Sequence, residues 1–239
     1  MTCDHARMRA SAEIDDVRPP PALPKVVRTP LMVVAALAAV AVTVLGIAFA
    51  GEKTGTALDT SVQLGLWRLG SPWREIGKLV DFTAEPVGIV LVLGSVFLVL
   101  RRLGHHRAAV LAVVGTGASV TVTTALKPLV GRDINNGFLA YPSGHTATAT
   151  SIALVCVLVV VHRRRLRAAT GMLLTAAVVV PVAAAMAWAQ VLENSHYPTD
   201  TVGGFCVALV MVPLTARAID AIADRRRQHE DERGGVGDG

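Results

Sequence analysis

Charged residues are scarce in this sequence, and aromatic residues and cysteines are scarcer still. Asp, Glu, Lys and Arg make up 17% of the 239 residues and aromatics 4%, whereas soluble domains carry about 25% charged residues. The chain is 52% hydrophobic, with a mean hydropathy of +0.52. Its apolar residues are bunched into long runs, which excludes a disordered chain and disfavours an ordinary soluble domain. The composition therefore indicates a membrane protein.

The cysteines argue against a disulfide framework or a zinc site, and the charge pattern argues against a nucleic-acid site. Cys156 and Cys206 lie within apolar runs, and neither they nor Cys3 show metal-ligand spacing, which disfavours a disulfide framework or a zinc site. The formal net charge is +5, but the basic residues lie in short clusters between apolar runs. We therefore predict no nucleic-acid site, because such a site needs a basic face or stripe.

Six apolar segments are long enough to cross a membrane as helices, which takes about 17–25 residues. They lie at about 30–50, 83–100, 107–126, 144–161, 168–189 and 201–219. The second segment is the weakest, because Glu85 and Pro86 stand near its start. The sequence therefore predicts an all-α bundle of six transmembrane helices. It shows no internal repeat, which disfavours an inverted-repeat transporter.

The predicted membrane domain covers residues 30–220, with a polar segment on either side. Residues 1–29, rich in Pro and Arg, predict a disordered tail, and residues 221–239 predict a second, charged tail. Six spans place both termini on one side of the membrane. Segments on that side carry 17 Lys and Arg residues, against six on the other. Positive charge favours the cytoplasm, so we expect cytoplasmic termini. In the loop at 51–82, Trp67 and Trp73 suit a helix lying at the outer interface.

Ionisable residues gather at three places on the predicted outer side of the membrane. These are Lys127–Asp133, Tyr141–His145 and Glu193–Asp200, at the ends of the third and fourth helices and the start of the sixth. Charged groups at this depth are costly and usually functional. We therefore predict that the bundle brings the three segments together around one pocket.

The second of these segments predicts an anion site at a helix start. Ser143 is placed to cap the fourth helix, and Gly144 would let a ligand approach the backbone closely. Free N–H groups at the helix N-terminus favour an anion, and His145 could give or take a proton there. A plain helix start with an interfacial histidine remains the alternative.

The third segment predicts half of a nucleophilic constellation. His196 and Asp200 are four residues apart, so one helical turn places them on the same side. A carboxylate bonded to one imidazole nitrogen leaves the other nitrogen free to attack an electrophile. The alternative is a capping aspartate beside a bystander histidine.

Two cations stand in the first segment. Lys127 and Arg132 beside an anion-binding helix start suggest a phosphate or another multivalent anion. They could also merely extend to the interface. Asp133 could weaken the contribution of Arg132 by pairing with it.

These motifs, in this order, resemble the type 2 phosphatidic acid phosphatase family of integral-membrane lipid phosphate phosphatases. That family carries a Lys followed after six residues by Arg-Pro, then Pro-Ser-Gly-His, then Ser-Arg with a His and an Asp further on. Lys127 matches the first part, Pro142–His145 the second, and His196 with Asp200 the end of the third. The resemblance covers about residues 80–217.

The resemblance implies a role for each matching residue. His196 would be the nucleophile that forms a phosphohistidine, Asp200 would orient it, and His145 would protonate the leaving oxygen. Lys127, Ser143 and the Gly144 backbone would hold the phosphoryl oxygens. No metal or other cofactor is implied. The substrate would be a lipid phosphate, such as a polyprenyl diphosphate or phosphatidic acid, and the site would face outward from a bacterial plasma membrane.

Two arginines of the family pattern are replaced in this chain. Ile134 stands where the first is expected and Gln190 where the second is expected. Arg132 could take over one place, and Gln190 could donate a hydrogen bond without charge. Two hypotheses therefore remain: a lipid phosphate phosphatase with altered activity, or an impaired relative that binds lipid phosphates or assists assembly. The sequence does not predict the oligomeric state.

Overall fold

The computed structural model describes residues 19–135 and 137–235, with side chains up to residue 230. The predicted disorder of residues 1–18 therefore falls outside the described residues. The described residues form eight helices and one short hairpin. They are α1 Lys25–Ala48, α2 Ala57–Trp67, α3 Trp73–Phe82, α4 Pro86–Arg102, α5 His106–Val130, β1 Asp133–Ile134, β2 Phe138–Leu139, α6 Gly144–Arg163, α7 Ala168–Leu192 and α8 Pro198–Gly235.

The protein is an all-helical integral membrane protein with five to six spans. Within the described ranges, α1, α5, α6, α7 and α8 are each long and apolar enough to cross a membrane. The sixth span exists only if α3 and α4 count as one, since they meet at a bend of 63°. The second predicted segment, at 83–100, forms α4, a short helix of 17 residues. It begins at Pro86, because proline suits the first turn of a helix.

A glycine allows the bend between α3 and α4. A Cβ atom at Gly88 would lie 1.7 Å from the Phe82 carbonyl oxygen, so no larger residue fits there. This close approach fixes how α3 enters the bundle and, with it, the position of Asp81 near the end of α3.

The helices pack through small side chains. Helix α8 packs against α1, α5 and α6, while α7 packs against α6 and α3. The core contains Ala108, Ala109, Ala112 and Ala216, all at most 4% exposed, and small residues let membrane helices approach closely. Large apolar side chains such as Leu37 instead face outward, where a bilayer would cover them.

The ends of the bundle differ from the predicted limits of 30 and 220. The backbone N–H groups of Ala22 and Leu23 donate to the Asp220 carboxylate at 2.9 and 3.0 Å, and Arg107 pairs with the same carboxylate at 3.1 Å. Because Asp220 ties the segment before α1 to α8, ordered structure begins before residue 30. Helix α8 itself continues past residue 220 to Gly235.

The loop expected at 51–82 contains two helices, α2 and α3, where one was predicted; the break lies between Trp67, which ends α2, and Trp73, which begins α3. Trp73 at the start of α3 packs edge-on against Trp188 of α7, with ring centroids 6.4 Å apart.

The hairpin between α5 and α6 was not predicted. Gly131 ends α5 with a φ of 65°, a conformation that favours glycine, and the chain then enters β1 through Arg132.

Candidate active site

The structure brings the three predicted ionisable segments together at one end of the bundle. Lys127 lies in the last turn of α5, His145 in the first turn of α6, and His196 just before α8. His145 lies close enough to Lys127 and His196 to interact electrostatically with both, and Lys127 interacts in the same way with Asp200. His145 keeps 33% of its side chain exposed, so a ligand can reach this cluster.

The start of α6 is built as predicted from the sequence. Ser143 is the N-cap residue, and its Oγ accepts a hydrogen bond from the Thr146 N–H at 3.3 Å. This confirms the predicted cap. The nearest atom to a Cβ added at Gly144 would be Thr123 Oγ1 at 3.5 Å, an ordinary contact. Packing therefore does not demand a glycine at 144, and close approach of a ligand remains the predicted reason for it.

His196 and Asp200 face each other but do not form a hydrogen bond. His196 Nδ1 lies 3.8 Å from Asp200 Oδ2, and the same oxygen accepts a bond from the Tyr197 N–H at 2.8 Å. Nδ1 is buried and has no hydrogen-bond partner among the described residues. Catalytic hydrogen bonds are often long in ligand-free enzymes and shorten when substrate binds. In this arrangement Nε2 is the nitrogen available for chemistry.

Arg132 is fully buried and pairs with two carboxylates. Its side chain is 0% exposed, and its terminal nitrogens donate to Asp200 Oδ1 at 2.5 Å and to Asp59 Oδ2 at 2.7 Å. Its guanidinium carbon also stacks on the rings of Phe49 and Tyr197, at 3.9 and 4.7 Å. Arg132 therefore orients Asp200, and its geometry does not support the phosphate contact expected from the sequence.

Arg132 pairs with Asp59 and Asp200, and not with Asp133, the partner that the sequence left possible. Asp133 lies in β1, where it pairs with Leu139 of β2. The carboxylates that neutralise Arg132 come from distant segments, because the arginine turns inward toward α2 and α8.

Asp59 is a part of this network that the sequence analysis missed. It completes a capping box with Thr56 at the start of α2 and accepts hydrogen bonds from the backbone N–H and the hydroxyl of Thr199. Burial raises the pKa of Asp59, but the bonds from Thr199, Arg132 and Thr56 outweigh it and hold the pKa below its ordinary value of 3.8. Asp59 is thus ionised and fixes Arg132.

Asp81 is a second carboxylate that the sequence analysis missed. Its Oδ1 lies 3.9 Å from His145 Nε2 and accepts a hydrogen bond from the Gln190 side-chain amide. Gln190 therefore lies at the cluster, as expected, but its N–H groups face a carboxylate. Neither Asp59 nor Asp81 belongs to a sequence motif. The only sign of them in the sequence is a polar residue in the first turn of α2 and another near the end of α3.

The assembled groups define a class of site. Two histidines lie within electrostatic range of each other, one buried and one a third exposed, a buried carboxylate stands behind the buried histidine, and a lysine and a helix N-terminus lie beside them. These are the elements needed to transfer an anionic group through a histidine nucleophile. No group of three or more potential metal ligands occurs among the described residues.

Comparison with known proteins finds a family whose model matches the region of this site. Residues 113–223 match the family model described as the PAP2 superfamily, so the resemblance inferred from the motifs is confirmed. The matched region contains Lys127, His145, His196 and Asp200. No curated protein sequence matches the chain.

The fold is similar to that of a solved membrane phosphatase. The match is to the crystal structure of a transmembrane PAP2-type phosphatidylglycerolphosphate phosphatase from Bacillus subtilis. The TM-score is 0.58 at 16% sequence identity, over 78% of this chain and 96% of that one. At this identity the likeness establishes a shared membrane fold.

Proposed function

We propose that the protein is an integral-membrane lipid phosphate phosphatase that hydrolyses a phosphomonoester or diphosphate through a phosphohistidine on His196. The observation that carries the proposal is the placement of the partly exposed His145 within electrostatic range of His196, with Asp200 buried beside His196. The family match and the membrane fold support the same class of reaction.

In the first step, His196 Nε2 attacks phosphorus, and the bond from phosphorus to the leaving oxygen breaks. His145 gives its proton to that oxygen, which departs as a lipid alcohol or as the shorter phosphate. Asp200 holds the imidazole of His196 and balances the positive charge that develops on it. Lys127 and the N–H groups at the start of α6 stabilise the phosphoryl oxygens. In the second step a water gives its proton to His145 and attacks phosphorus, and the bond from phosphorus to His196 Nε2 breaks, which releases phosphate and restores the free histidine.

We place the site on the outer side of a bacterial plasma membrane, with both termini in the cytoplasm. The support is the excess of Lys and Arg on the side of the termini. In the same topology, the three site segments lie at the helix ends on the side of the membrane away from the termini. The substrate would then be a lipid whose phosphate projects from the outer leaflet.

The test is phosphate release from a panel of lipid mono- and diphosphates by purified protein in detergent. Wild type is compared with His196→Ala and with a control, His106→Ala, which removes an exposed histidine at the other end of α5. We expect wild type and the control to turn over the same substrate at similar rates, and His196→Ala to release none. Turnover that survives in His196→Ala would overturn the assigned nucleophile.

A role in lipid binding alone is not favoured, because both histidines and the carboxylate beside His196 converge at one end of the bundle. Binding of lipid phosphate that survives in His196→Ala, together with an inactive wild type, would reverse this conclusion.

A further inference from the structure

An apolar groove lies between α4 and α5, in the half of α5 that is opposite Lys127. It has a volume of about 500 Å³, within the range of ligand-binding clefts. A Cβ atom added at Gly94 would meet nothing within 4 Å, so the missing side chain leaves part of the groove open. Its walls include Val90, Gly94 and Phe97 of α4 and Val110, Val113 and Val114 of α5. The four valines are 42–69% exposed, so the groove opens outward, where the bilayer would lie.

Two arginines stand at the end of this groove. Helix α4 ends at Arg101 and Arg102, and α5 begins at His106, so the two helices form a hairpin. Phe97 lies four residues before Arg101, and Val110 lies four residues after His106, which is about 6 Å along each helix. The arginines are therefore about one helical turn from the nearest walls of the groove.

These two arginines have no counter-charge within the protein. Asp220 and Asp224, the carboxylates near this end of α5, pair with Arg107 at 3.1 and 2.8 Å. Arg101 and Arg102 are exposed, and no carboxylate among the described residues pairs with either of them. Basic residues at a membrane surface attract anionic lipids. An apolar groove that ends in two unpaired cations fits a molecule with an acyl tail and an anionic head.

We propose that this groove binds an anionic phospholipid from the leaflet on the side of the termini. One acyl chain would lie against Gly94, and the phosphate would contact Arg101 and Arg102. Helix α4 packs chiefly against α5, so a bound chain adds contacts to a helix that has few protein neighbours. The lipid stabilises the folded protein because it binds the groove, which exists only in the folded state. This inference does not depend on the proposed hydrolysis.

The first test is thermal unfolding of purified protein in detergent, with added phosphatidylglycerol or with phosphatidylcholine of the same acyl chains. We expect phosphatidylglycerol to raise the unfolding temperature of wild type by about 5 °C or more beyond the effect of phosphatidylcholine. Arg101→Gln combined with Arg102→Gln should lose most of this difference. The control, Arg225→Gln combined with Arg226→Gln, removes two exposed arginines from α8 beyond Asp220 and should keep it.

A second variant tests the groove separately from the charge. Gly94→Leu places a side chain in the space that the acyl chain would fill, so it should also reduce the difference between the two lipids. Ala36→Leu enlarges an exposed small residue on α1 and should not. Because each variant is compared with itself in the two lipids, a change in its intrinsic stability does not affect the result. An unchanged difference in Gly94→Leu would overturn the assigned groove.

Two further results would overturn the proposal. The first is an equal effect of the two lipids on wild type. The second is a preference for phosphatidylglycerol that survives the loss of both Arg101 and Arg102, since the lipid would then bind elsewhere, as at the active site. Phosphatase activity enters none of these measurements, so a failure of the proposed function is distinguished from a failure of the lipid site.

If the variants do not fold, the wild-type protein alone decides. Phosphatidylglycerol with a photoreactive group in its acyl chain is bound and irradiated, and the labelled residues are identified by mass spectrometry. We expect labels within 90–97 of α4 or 110–114 of α5, and excess phosphatidylglycerol should suppress them more than excess phosphatidylcholine. Labels confined to other helices would contradict the proposal.

Discussion

At the scale of single residues, two buried carboxylates share one guanidinium group. Asp59 and Asp200 both accept from Arg132, and all three side chains are 0% exposed. Removing one partner from such a group leaves an uncompensated buried charge, which is strongly destabilising. The same contacts that hold Asp200 behind His196 therefore also contribute to the stability of this end of the bundle.

Replacing Arg132 by Ala should lower both stability and activity. Asp59 and Asp200 would remain buried without a counter-charge, at a cost of about 3–5 kcal/mol. Thermal unfolding in detergent measures the first effect and phosphate release the second. Arg68→Ala, at an exposed arginine after α2, should change neither. A variant at 132 as stable as wild type would contradict the buried network.

The pKa of Asp59 predicts a dependence of stability on acid. Its folded pKa lies below the ordinary value of 3.8. The stability it contributes is therefore fully present above that value and is lost as the pH falls through the lower, folded pKa. Unfolding temperatures between pH 6 and pH 3 should fall more steeply in wild type than in Asp59→Asn. Parallel profiles would show that Asp59 is not an ionised partner of Arg132.

At the scale of elements, the approach of α8 to the start of α6 depends on two glycines. A Cβ at Gly204 would lie 2.1 Å from the Ser143 carbonyl oxygen, and one at Gly203 would lie 2.4 Å from the Tyr141 ring. Because these glycines have no side chain, α8 packs closely enough for Asp200 to lie beside the start of α6, where His145 stands. The Ser143 N–H donates to the Asp200 carbonyl at 3.0 Å, which joins the two helix starts.

Gly204→Ala should separate α8 from α6 and reduce phosphate release sharply, with a loss of stability of about 1–3 kcal/mol from overpacking. Gly117→Ala is the matched control, since a Cβ there meets nothing within 4 Å. The control should be as active as wild type. Full activity in Gly204→Ala would show that the contact between the two helix starts does not position the site.

The sequence predicted those elements whose signals are local. The apolar runs marked five of the long helices, and the two motifs placed His145, His196 and Asp200 at helix starts. It could not predict that Arg132 turns inward or that Asp59 and Asp81 reach the site. Those contacts join residues that are 64 or more positions apart in the chain. Only the packing of α2 and α3 against α7 and α8 brings them together.

At the scale of the whole molecule, charge predicts the orientation in the membrane. In the predicted six-span topology, the side of the termini carries 17 basic residues, against six on the side of the site. Single cysteines at Ser61 and His106, both exposed, would report on the two sides when native cysteines are replaced. We expect an impermeant thiol reagent to label S61C in intact cells and H106C only after permeabilisation. The reverse pattern would place the site in the cytoplasm.

The measurement that tests the central claim most directly is the capture of the phosphorylated enzyme. Protein is quenched during turnover of a lipid phosphate labelled on phosphorus, and the labelled residue is identified. We predict an acid-labile, base-stable phosphate on His196, and none on His196→Ala, while His106→Ala is labelled like wild type. Turnover in wild type with the label on another residue, or without any labelled enzyme, would contradict the account.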